Sequence, residues 1–376
     1  MSVETDQAAA LELAKGLDAT ASNIERVSGK TSPAAARWAF TQWELRAKAV
    51  KKGFPRAEEM LFTREALEQA SHFAVARYHA SLFSSGELVA DLTCGIGSDL
   101  IALAERGPVV GFDIDAERLE YARHNLEVHG FDGELVLDDS LQMEWKFEYA
   151  FADPSRRVAG RRTLDLSEFS PNPHQLSERM AQIKFGAIKL SPMIPDGALD
   201  SLGSRLTFVS YNRECREALV CRGKNALADK FAVRVETGTK LRSIDPPMSI
   251  DEPLEFLYEA DPAAIRVHAL GAISNKLHGL GDSNGYLTSE PEVESEWLTG
   301  FRVLDFGHFD QKSLRARIGE LGGGVPVVKS RIPGLEVAKY PRAFKAQGRR
   351  ALIVVLYLVG MARRYAIVEA LGSKSN

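Results

Sequence analysis

The segment 91–97 combines an acidic residue with two closely spaced glycines, directly after a short apolar stretch. Gly95 and Gly97 would allow the backbone of a turn to approach a ligand without the clash that a Cβ atom would cause. A helix that starts after such a turn presents unpaired N–H groups at its first residues. The spacing therefore predicts a loop whose backbone binds a polar ligand, with the carboxylate of Asp91 beside it.

A second acidic residue, Asp113, lies 22 residues after Asp91 and ends the next apolar stretch. In doubly wound α/β folds a carboxylate at this spacing binds ribose hydroxyl groups, so the pair indicates an adenosine-containing cofactor. A dinucleotide loop with the spacing G-x-G-x-x-G is the alternative, but Leu100 occupies the position of its third glycine. The carboxylate of Asp91 would also repel a pyrophosphate, whereas it would attract the ammonium and sulfonium groups of S-adenosylmethionine (SAM).

The predicted elements place these carboxylates at the ends of strands. Strands are expected over 88–92, 109–112, 135–137, 149–152, 187–190 and 206–209, with helices over 99–106 and 116–129. Alternation at this pace predicts an α/β fold with right-handed crossovers and a doubly wound, Rossmann-like parallel sheet. Because the carboxyl ends of parallel strands share one edge of the sheet, Asp91 and Asp113 are expected to lie close together.

The remainder of the chain predicts two further parts. The expected domains are 1–85, a helical N-terminal domain; 86–245, the doubly wound domain; and 246–376, a smaller α/β domain. In the first, one helix is expected over 34–52 after the capping residue Ser32, and another over 63–82. In the last, a buried strand is expected over 351–358.

The motifs around the predicted loop are similar to those of a known family. Residues 91–97, 111–115 and 153–154 resemble motifs I, II and IV of class I SAM-dependent methyltransferases. The stretch 113–130 is similar to the trimethylguanosine synthase branch. The overall layout, with the segment 63–70 before motif I, resembles bacterial methyltransferases that carry a C-terminal THUMP-like domain. The resemblance covers most of the chain and implies a SAM-dependent methyltransferase.

The same resemblance implies which residues hold the cofactor. They are Asp91, Thr93, Cys94, Gly95, Gly97, Asp113, Ile114, Asp139 and Ser140. Asp91 and the loop backbone would hold the methionine part of SAM, and Asp113 would hold the ribose. An acidic residue near the adenine is expected after the third strand, where Asp139 and Asp138 fit equally well. A solvated turn is the alternative for both.

By resemblance, Asp153, Pro154 and Arg156 are the expected catalytic residues. Asp153 would lie beside the methyl group, where its carboxylate can accept hydrogen bonds from an amine; a turn cap is the alternative. Relatives that methylate bases place an aromatic ring after the proline pair of this motif, whereas Ser155 and Arg156 stand here. Arg156 could instead pair with a phosphate or carboxylate of the substrate.

Composition limits the other classes of function. The sequence is 45% hydrophobic and 26% charged with a net charge of −4, which is typical of a globular protein rather than a DNA-coating one. Cys94, Cys215 and Cys221 form no metal-binding or disulfide spacing, so no metal and a reduced, cytoplasmic protein are expected. No apolar stretch approaches the ~20 residues of a membrane span. The helix histidines 72, 79, 124 and 129 are expected to be polar surface residues.

RNA is the expected partner. THUMP domains bind tRNA, and two basic runs, 46–56 and 339–350, could contact phosphates. The expected reaction is methylation of a base nitrogen in tRNA or rRNA. A small-molecule methyltransferase, and a SAM-binding RNA-binding module without catalysis, are the alternatives.

Overall fold

Short capping residues start the helices that precede the first strand. The helices are α1 (Val3–Ala14), α2 (Ala21–Ser28), α3 (Pro33–Lys51), α4 (Arg64–Gln69) and α5 (Phe73–Ala80). At the start of α3, the Ser32 side chain accepts a hydrogen bond from the Ala35 N–H, and Pro33 occupies a position where a missing N–H costs nothing. The computed structural model, which describes residues 3–158, 161–282 and 285–372, confirms this predicted helix.

The prediction of one continuous helix over 63–82 is wrong, because the helix is interrupted between α4 and α5. Nζ of Lys52 donates hydrogen bonds to the carbonyl oxygens of Leu67 and Ala70, at 2.6 Å each, and so satisfies the end of α4. His72 then caps α5, because its Nδ1 accepts a hydrogen bond from the Ala74 N–H. The interruption depends on the side chains of Lys52 and His72, and a pattern of apolar residues gives no indication of their hydrogen bonds.

A parallel sheet follows, and it confirms the predicted fold class. The elements of this segment are β1 (Val89–Asp91), α6 (Ser98–Ala104), β2 (Val109–Asp113), α7 (Ala116–Val128), β3 (Glu134–Leu137), β4 (Tyr149–Ala152), β5 (Arg157–Val158), β6 (Arg161–Arg162), α8 (Pro173–Met180) and β7 (Phe185–Leu190). Of these strands, β5 and β6 pair antiparallel in a separate two-stranded sheet. Parallel pairs give the order β7-β4-β1-β2-β3. The order reverses between β1 and β4, and doubly wound folds bind their ligands at such a switch point.

The chain forms two units, Met1–Leu206 with Leu219–Ala228 and Thr207–Ala218 with Asp229–Asn376. The remaining elements in chain order are α9 (Asp196–Asp200), β8 (Arg205–Tyr211), β9 (Glu214–Arg222), β10 (Asp229–Arg234), β11 (Lys240–Arg242), β12 (Ser249–Ile250), β13 (Phe256–Ala260), α10 (Pro262–Arg266), α11 (Leu270–Ile273), β14 (His278–Leu280), β15 (Tyr286–Ser289), β16 (Leu298–His308), α12 (Gln311–Glu320), β17 (Val327–Ser330), α13 (Tyr340–Ala343), β18 (Ile353–Val359) and β19 (Ala362–Ala370). The division into three domains stays a prediction.

The second unit contains a mostly antiparallel sheet in the order β12-β14-β15-β13-β16-β19-β18-β17. The strand predicted near residue 351 is β18, and its apolar side chains pack with those of α12 around Phe344. None of the helices in the described parts of the chain has the length and apolarity that crossing a bilayer requires.

A buried asparagine on α7 joins two segments of the first unit. Asn125 donates to the carbonyl oxygens of Leu61 at 2.9 Å and Ile96 at 2.8 Å, and accepts from the Leu61 N–H at 2.8 Å. One side chain therefore fastens both the segment before α4 and the loop after β1.

Asn125→Leu is expected to lower the free energy of unfolding by about 2 to 3 kcal/mol, because buried backbone groups lose their partners. Thermal denaturation should show the loss, and a change in the loop at Ile96 should weaken ligand binding there. Arg123→Ala, on the exposed side of the same helix, is the matched control. An unchanged melting temperature in the leucine variant would contradict the structural role.

Candidate active site

Three aspartates meet at the carboxyl edge of the sheet. Asp91 and Asp113 are the last residues of β1 and β2, and Asp153 directly follows β4. Since β1 pairs with both other strands in parallel, these ends lie side by side. The fold therefore brings the ends of these strands together, as the spacing of Asp91 and Asp113 predicts.

The loop after β1 turns through two left-handed glycines. Gly95 has φ 54° and Gly97 has φ 90°, values that residues with a Cβ rarely adopt. The Gly95 N–H donates to Oδ2 of Asp113 at 3.0 Å, and the Cys94 N–H donates to the Phe112 carbonyl at 2.8 Å. These bonds fasten the loop to the end of β2.

Asp113 holds the backbone on both sides of the site. Its Oδ2 accepts from Gly95 and its Oδ1 accepts from the Asp115 N–H at 2.9 Å. A carboxylate oxygen has two acceptor positions, so these bonds leave capacity for hydroxyl groups of a ligand. Asp113 also lines the cavity above the loop, as a ribose-binding carboxylate would.

The cavity has a volume of about 510 Å³, which lies within the range of small-molecule sites. The predicted residues that line it are Thr93, Cys94, Gly95, Asp113, Ile114, Asp139, Ser140 and Asp153. Asp91, Gly97, Pro154 and Arg156 are not among its described lining residues. Asp91 ends β1 and Gly97 precedes α6, so they are the two ends of the loop that lines the cavity, and their contact with a cofactor stays a prediction.

The segments that follow β2 and β3 contribute an apolar surface and two carboxylates to the cavity. Ile114 is 73% exposed and lines the cavity, where it could pack against a flat ring. Asp138 and Asp139 both line it as well, so both residues stay candidates for the adenine contact. Oδ1 of Asp139 accepts from the Leu141 N–H at 2.9 Å, which orders this turn.

Asp153 is held from two directions. Its backbone N–H donates to Oγ1 of Thr93 at 2.7 Å, which ties the loop after β4 to the loop after β1. Nζ of Lys189, near the end of β7, lies 2.5 Å from Oδ2 of its carboxylate. The signal that could have indicated Lys189 is a charged residue within the apolar run 185–190.

The prediction that His79 is a polar surface residue is wrong. His79 is fully buried, stacks on Phe151 with ring centroids 4.9 Å apart, and places Nδ1 2.6 Å from Oδ1 of Asp99. Asp99 lines the cavity. Burial opposes the ionisation of Asp99, but the charge and hydrogen bond of His79, aided by Lys189, hold its pKa below the usual range.

Asp91 has no such cationic partner among the described residues. Its carboxylate accepts the Thr93 N–H at 3.1 Å and is almost completely buried. Burial raises the pKa of Asp91 well above its usual range, and the charges of Asp99 and Asp153 add to the effect. A cation in the cavity would relieve this excess of negative charge, whereas a pyrophosphate would increase it.

Two comparisons with known proteins identify the family. A family profile described as a methyltransferase domain matches residues 83–170. An uncharacterised SAM-dependent methyltransferase of Mycobacterium tuberculosis is 30% identical over 315 residues, which cover 80% of this chain and 86% of that one. The chain belongs to the SAM-dependent methyltransferases. The methyltransferase uses SAM as its cofactor. The excess of negative charge at the cavity is complementary to the ammonium and sulfonium groups of SAM.

Other similarities are of narrower scope. A solved structure from Porphyromonas gingivalis, assigned provisionally as a methyltransferase, covers 99% of this chain and 100% of its own with a TM-score of 0.79 at 20% identity, which shows a shared fold. A tRNA (uracil(54)-C(5))-methyltransferase of Pyrococcus furiosus is 34% identical over 76 residues, 20% of this chain and 18% of that one.

Several residues of the methyltransferase that were not predicted also border the cavity. Ala66, Gln69 and Ala70 contribute one wall from α4, and Asn172 and Gln175 contribute another from the start of α8. These segments are distant in sequence from the glycine loop, so only the tertiary fold brings them to the cavity.

Two of the predicted catalytic residues, Pro154 and Arg156, do not line the cavity. Pro154 is buried, and Arg156 is partly buried with its carbonyl oxygen accepting the Thr163 N–H at 3.0 Å. Neither borders the cavity among the described residues, so a substrate contact through Arg156 stays a prediction. The side chain of Arg157 lies outside the described part of the structure.

The environment of Asp91 predicts that SAM binding to the methyltransferase releases protons. Burial raises the pKa of Asp91 and a bound cation lowers it, so binding expels a proton where the pH lies between the bound and the ligand-free pKa values. SAM affinity should therefore rise with pH across that interval, as long as the α-amino group of SAM, with a pKa of about 7.7, stays protonated. Calorimetry in buffers of different ionisation enthalpy measures the release.

Asp91→Asn is the paired variant. It should weaken SAM binding at least about tenfold, or about 1.4 kcal/mol, and abolish the proton release. If wild type and variant show the same dependence on pH, Asp91 is not the group that titrates.

Proposed function

We propose that the protein transfers the methyl group of SAM to a base nitrogen in tRNA or rRNA. The observation that carries the proposal is the similarity of a 76-residue stretch to a tRNA methyltransferase, in a chain whose C-terminal part resembles THUMP-like domains. The motif stretch 113–130 that resembles the trimethylguanosine synthase branch is consistent with an RNA substrate.

The cysteines favour nitrogen over carbon-5 of a pyrimidine as the acceptor. A carbon-5 reaction uses a thiolate nucleophile, and thiolates form readily only where the thiol pKa is low. Burial raises the pKa of Cys215 and of Cys221 to about 12. Cys94 lies buried in the glycine loop, and burial together with nearby Asp91 raises its pKa well above the usual range.

The acceptor side of the cavity carries groups that suit a nucleobase. Asp153, Asn172 and Gln175 present a carboxylate and two amides, which can form hydrogen bonds with base edges. Pro171 adds an apolar surface beside them. Bound SAM supplies an electrophilic methyl group. In the proposed reaction Asp153 orients the acceptor amine, and transfer depends mainly on positioning.

Contacts to RNA phosphates are proposed for the C-terminal basic run rather than the N-terminal one. Arg46 is buried against the Met60 carbonyl, and Lys52 caps α4. Lys48 and Arg56 are exposed but form ion pairs with Glu44 and Glu59, which leaves Lys51 as the exposed cation of that run without a described ion pair. In the C-terminal run Lys345 and Arg349 are exposed on the second unit. This difference favours the second unit as the region that meets the RNA backbone.

A small-molecule acceptor is the second candidate. The cavity is lined by five aspartates and, among described residues, one cation, Arg118, and no aromatic ring. Such a lining suits a cationic or neutral acceptor better than a phosphate-bearing one. Methylation of RNA therefore requires that the RNA phosphates bind outside the cavity, whereas a small-molecule acceptor has no such requirement.

Asp153→Ala is expected to lower the rate of methylation roughly 100-fold while leaving SAM affinity within a few fold. The carboxylate works mainly in the transition state, and loss of a preorganised group there costs roughly 100-fold in turnover. Turnover is measured as radiolabel transfer to bulk tRNA and rRNA from a strain that lacks the gene, with modified nucleosides identified by mass spectrometry. Asp132→Ala, an exposed aspartate, is the control. Equal loss of melting temperature, affinity and turnover would refute the catalytic role.

Binding of the same tRNA should weaken steeply with salt, since counterions are released when phosphates are neutralised. The double variant Lys345→Glu/Arg349→Glu should weaken binding and reduce the slope against salt by about 2, following the number of contacts removed. Filter binding at several salt concentrations measures both. Binding of no cellular RNA by the wild type would favour the small-molecule candidate.

A further inference from the structure

A lysine lies behind the proposed acceptor carboxylate. Nζ of Lys189 is 2.5 Å from Oδ2 of Asp153, and the side chains are 13% and 33% exposed respectively. Asp153 borders the cavity, whereas Lys189 is not among the described residues that do. Through this ion pair the lysine can act on an acceptor by way of Asp153.

The strand register produces this pair. β4 and β7 are parallel neighbours, and Ala152 is the register partner of Ile188. One residue further along each strand stand Asp153 and Lys189, so their side chains leave the sheet edge side by side. Burying a lone ammonium would be costly, and the ion pair offsets that cost.

The neighbouring carboxylates indicate that the ion pair does more than stabilise the fold. The charge of Asp153 acts on Asp91, and the charge of Lys189 acts on Asp99. Like charges this close favour protonation of one carboxylate. A protonated Asp153 could not accept both the hydrogen bond and the proton of an acceptor amine. A fixed cation on Asp153 counters that tendency.

We propose that Lys189 is a positioning residue for methyl transfer, which keeps Asp153 ionised and aims its carboxylate at the acceptor nitrogen. This role rests on the proposed function. The acceptor nitrogen attacks the methyl carbon with its lone pair, and the carbon–sulfur bond breaks with its electron pair left on sulfur. The proton that the methylated nitrogen loses passes to the carboxylate of Asp153 and then to solvent.

Other titratable groups near the pair come from each neighbouring element. They are Asp91 of β1, Asp99 of α6 with His79 of α5 behind it, and Asp113, Asp138 and Asp139 around the same cavity. The cavity residues from α8, Asn172 and Gln175, do not titrate. Any change that follows loss of Lys189 must therefore be assigned to one carboxylate, which a second variant achieves.

The first experiment needs no substrate. Carbon-13 NMR of protein with labelled aspartate carboxyls follows their titration, and Asp153→Asn assigns the Asp153 signal by its disappearance. In Lys189→Met the Asp153 titration midpoint should rise by at least about one pH unit. Lys184→Met is the matched control, since this exposed lysine lies just before the opposite end of β7. An unmoved Asp153 midpoint would overturn the proposal.

The second experiment measures turnover and SAM affinity on bulk tRNA from a strain that lacks the gene. Lys189→Met should lower kcat roughly 100-fold and shift the acidic limb of its pH profile upward, with SAM affinity within about threefold. Lys189→Arg should recover part of kcat and the wild-type profile. Should the methionine variant fail to fold, Lys189→Gln replaces it. Wild-type kcat and pH profile in a neutral variant would overturn the positioning role.

The two experiments separate the failure of this inference from failure of the proposed function. If wild-type protein methylates no RNA, the proposed function fails, and the NMR titration still decides whether Lys189 controls the ionisation of Asp153. If RNA is methylated and the neutral variants behave as wild type, only the role of Lys189 fails.

Discussion

The site depends on several carboxylates that lie close together where burial disfavours their ionised forms. β1, α6 and the end of β4 bring Asp91, Asp99 and Asp153 to one edge of the sheet. There the ionised forms of Asp99 and Asp153 disfavour the ionisation of Asp91. The protein supplies His79 to Asp99 and Lys189 to Asp153. Asp91 has no cationic partner of this kind among the described residues, and the family's cofactor carries an ammonium and a sulfonium group. The pairing of the carboxylates would therefore favour a cationic ligand, in addition to what the glycine loop provides.

That electrostatic arrangement works only if the loops stay in place. Thr93 joins the loop after β1 to the one after β4, Asp113 joins it to β2, and Asn125 joins it to α7. In each case a polar side chain satisfies a backbone group that a turn leaves unpaired. All of these bonds are made by the chain's own groups, so they hold the loops that carry the charges, and preorganised groups of this kind are what lowers a barrier.

The parts of this site that were predictable are those set by chain order. Asp91, Asp113 and Asp153 follow apolar strands, and parallel pairing forces such ends together, so local pattern was sufficient. His79 lies in a helical pattern that gives a polar residue no separate signal, and the charge of Lys189 within its apolar run indicates an unusual residue but not its partner. Their roles arise from contacts 20 and 36 residues away along the chain. The break between α4 and α5 was hidden for the same reason.

The wall that α4 contributes links the N-terminal helices to cofactor binding. A helix of six residues is too short to persist unaided, and it depends on the Thr63 cap at its start and on Lys52 at its end. Lys52 follows directly after α3, so the position of α3 is transmitted to Gln69 at the cavity. A chain cut just before β1 would retain motifs I, II and IV and still possess an open-sided pocket. Substitutions in α3 would accordingly change ligand affinity, although no described residue before Ala66 lines the cavity.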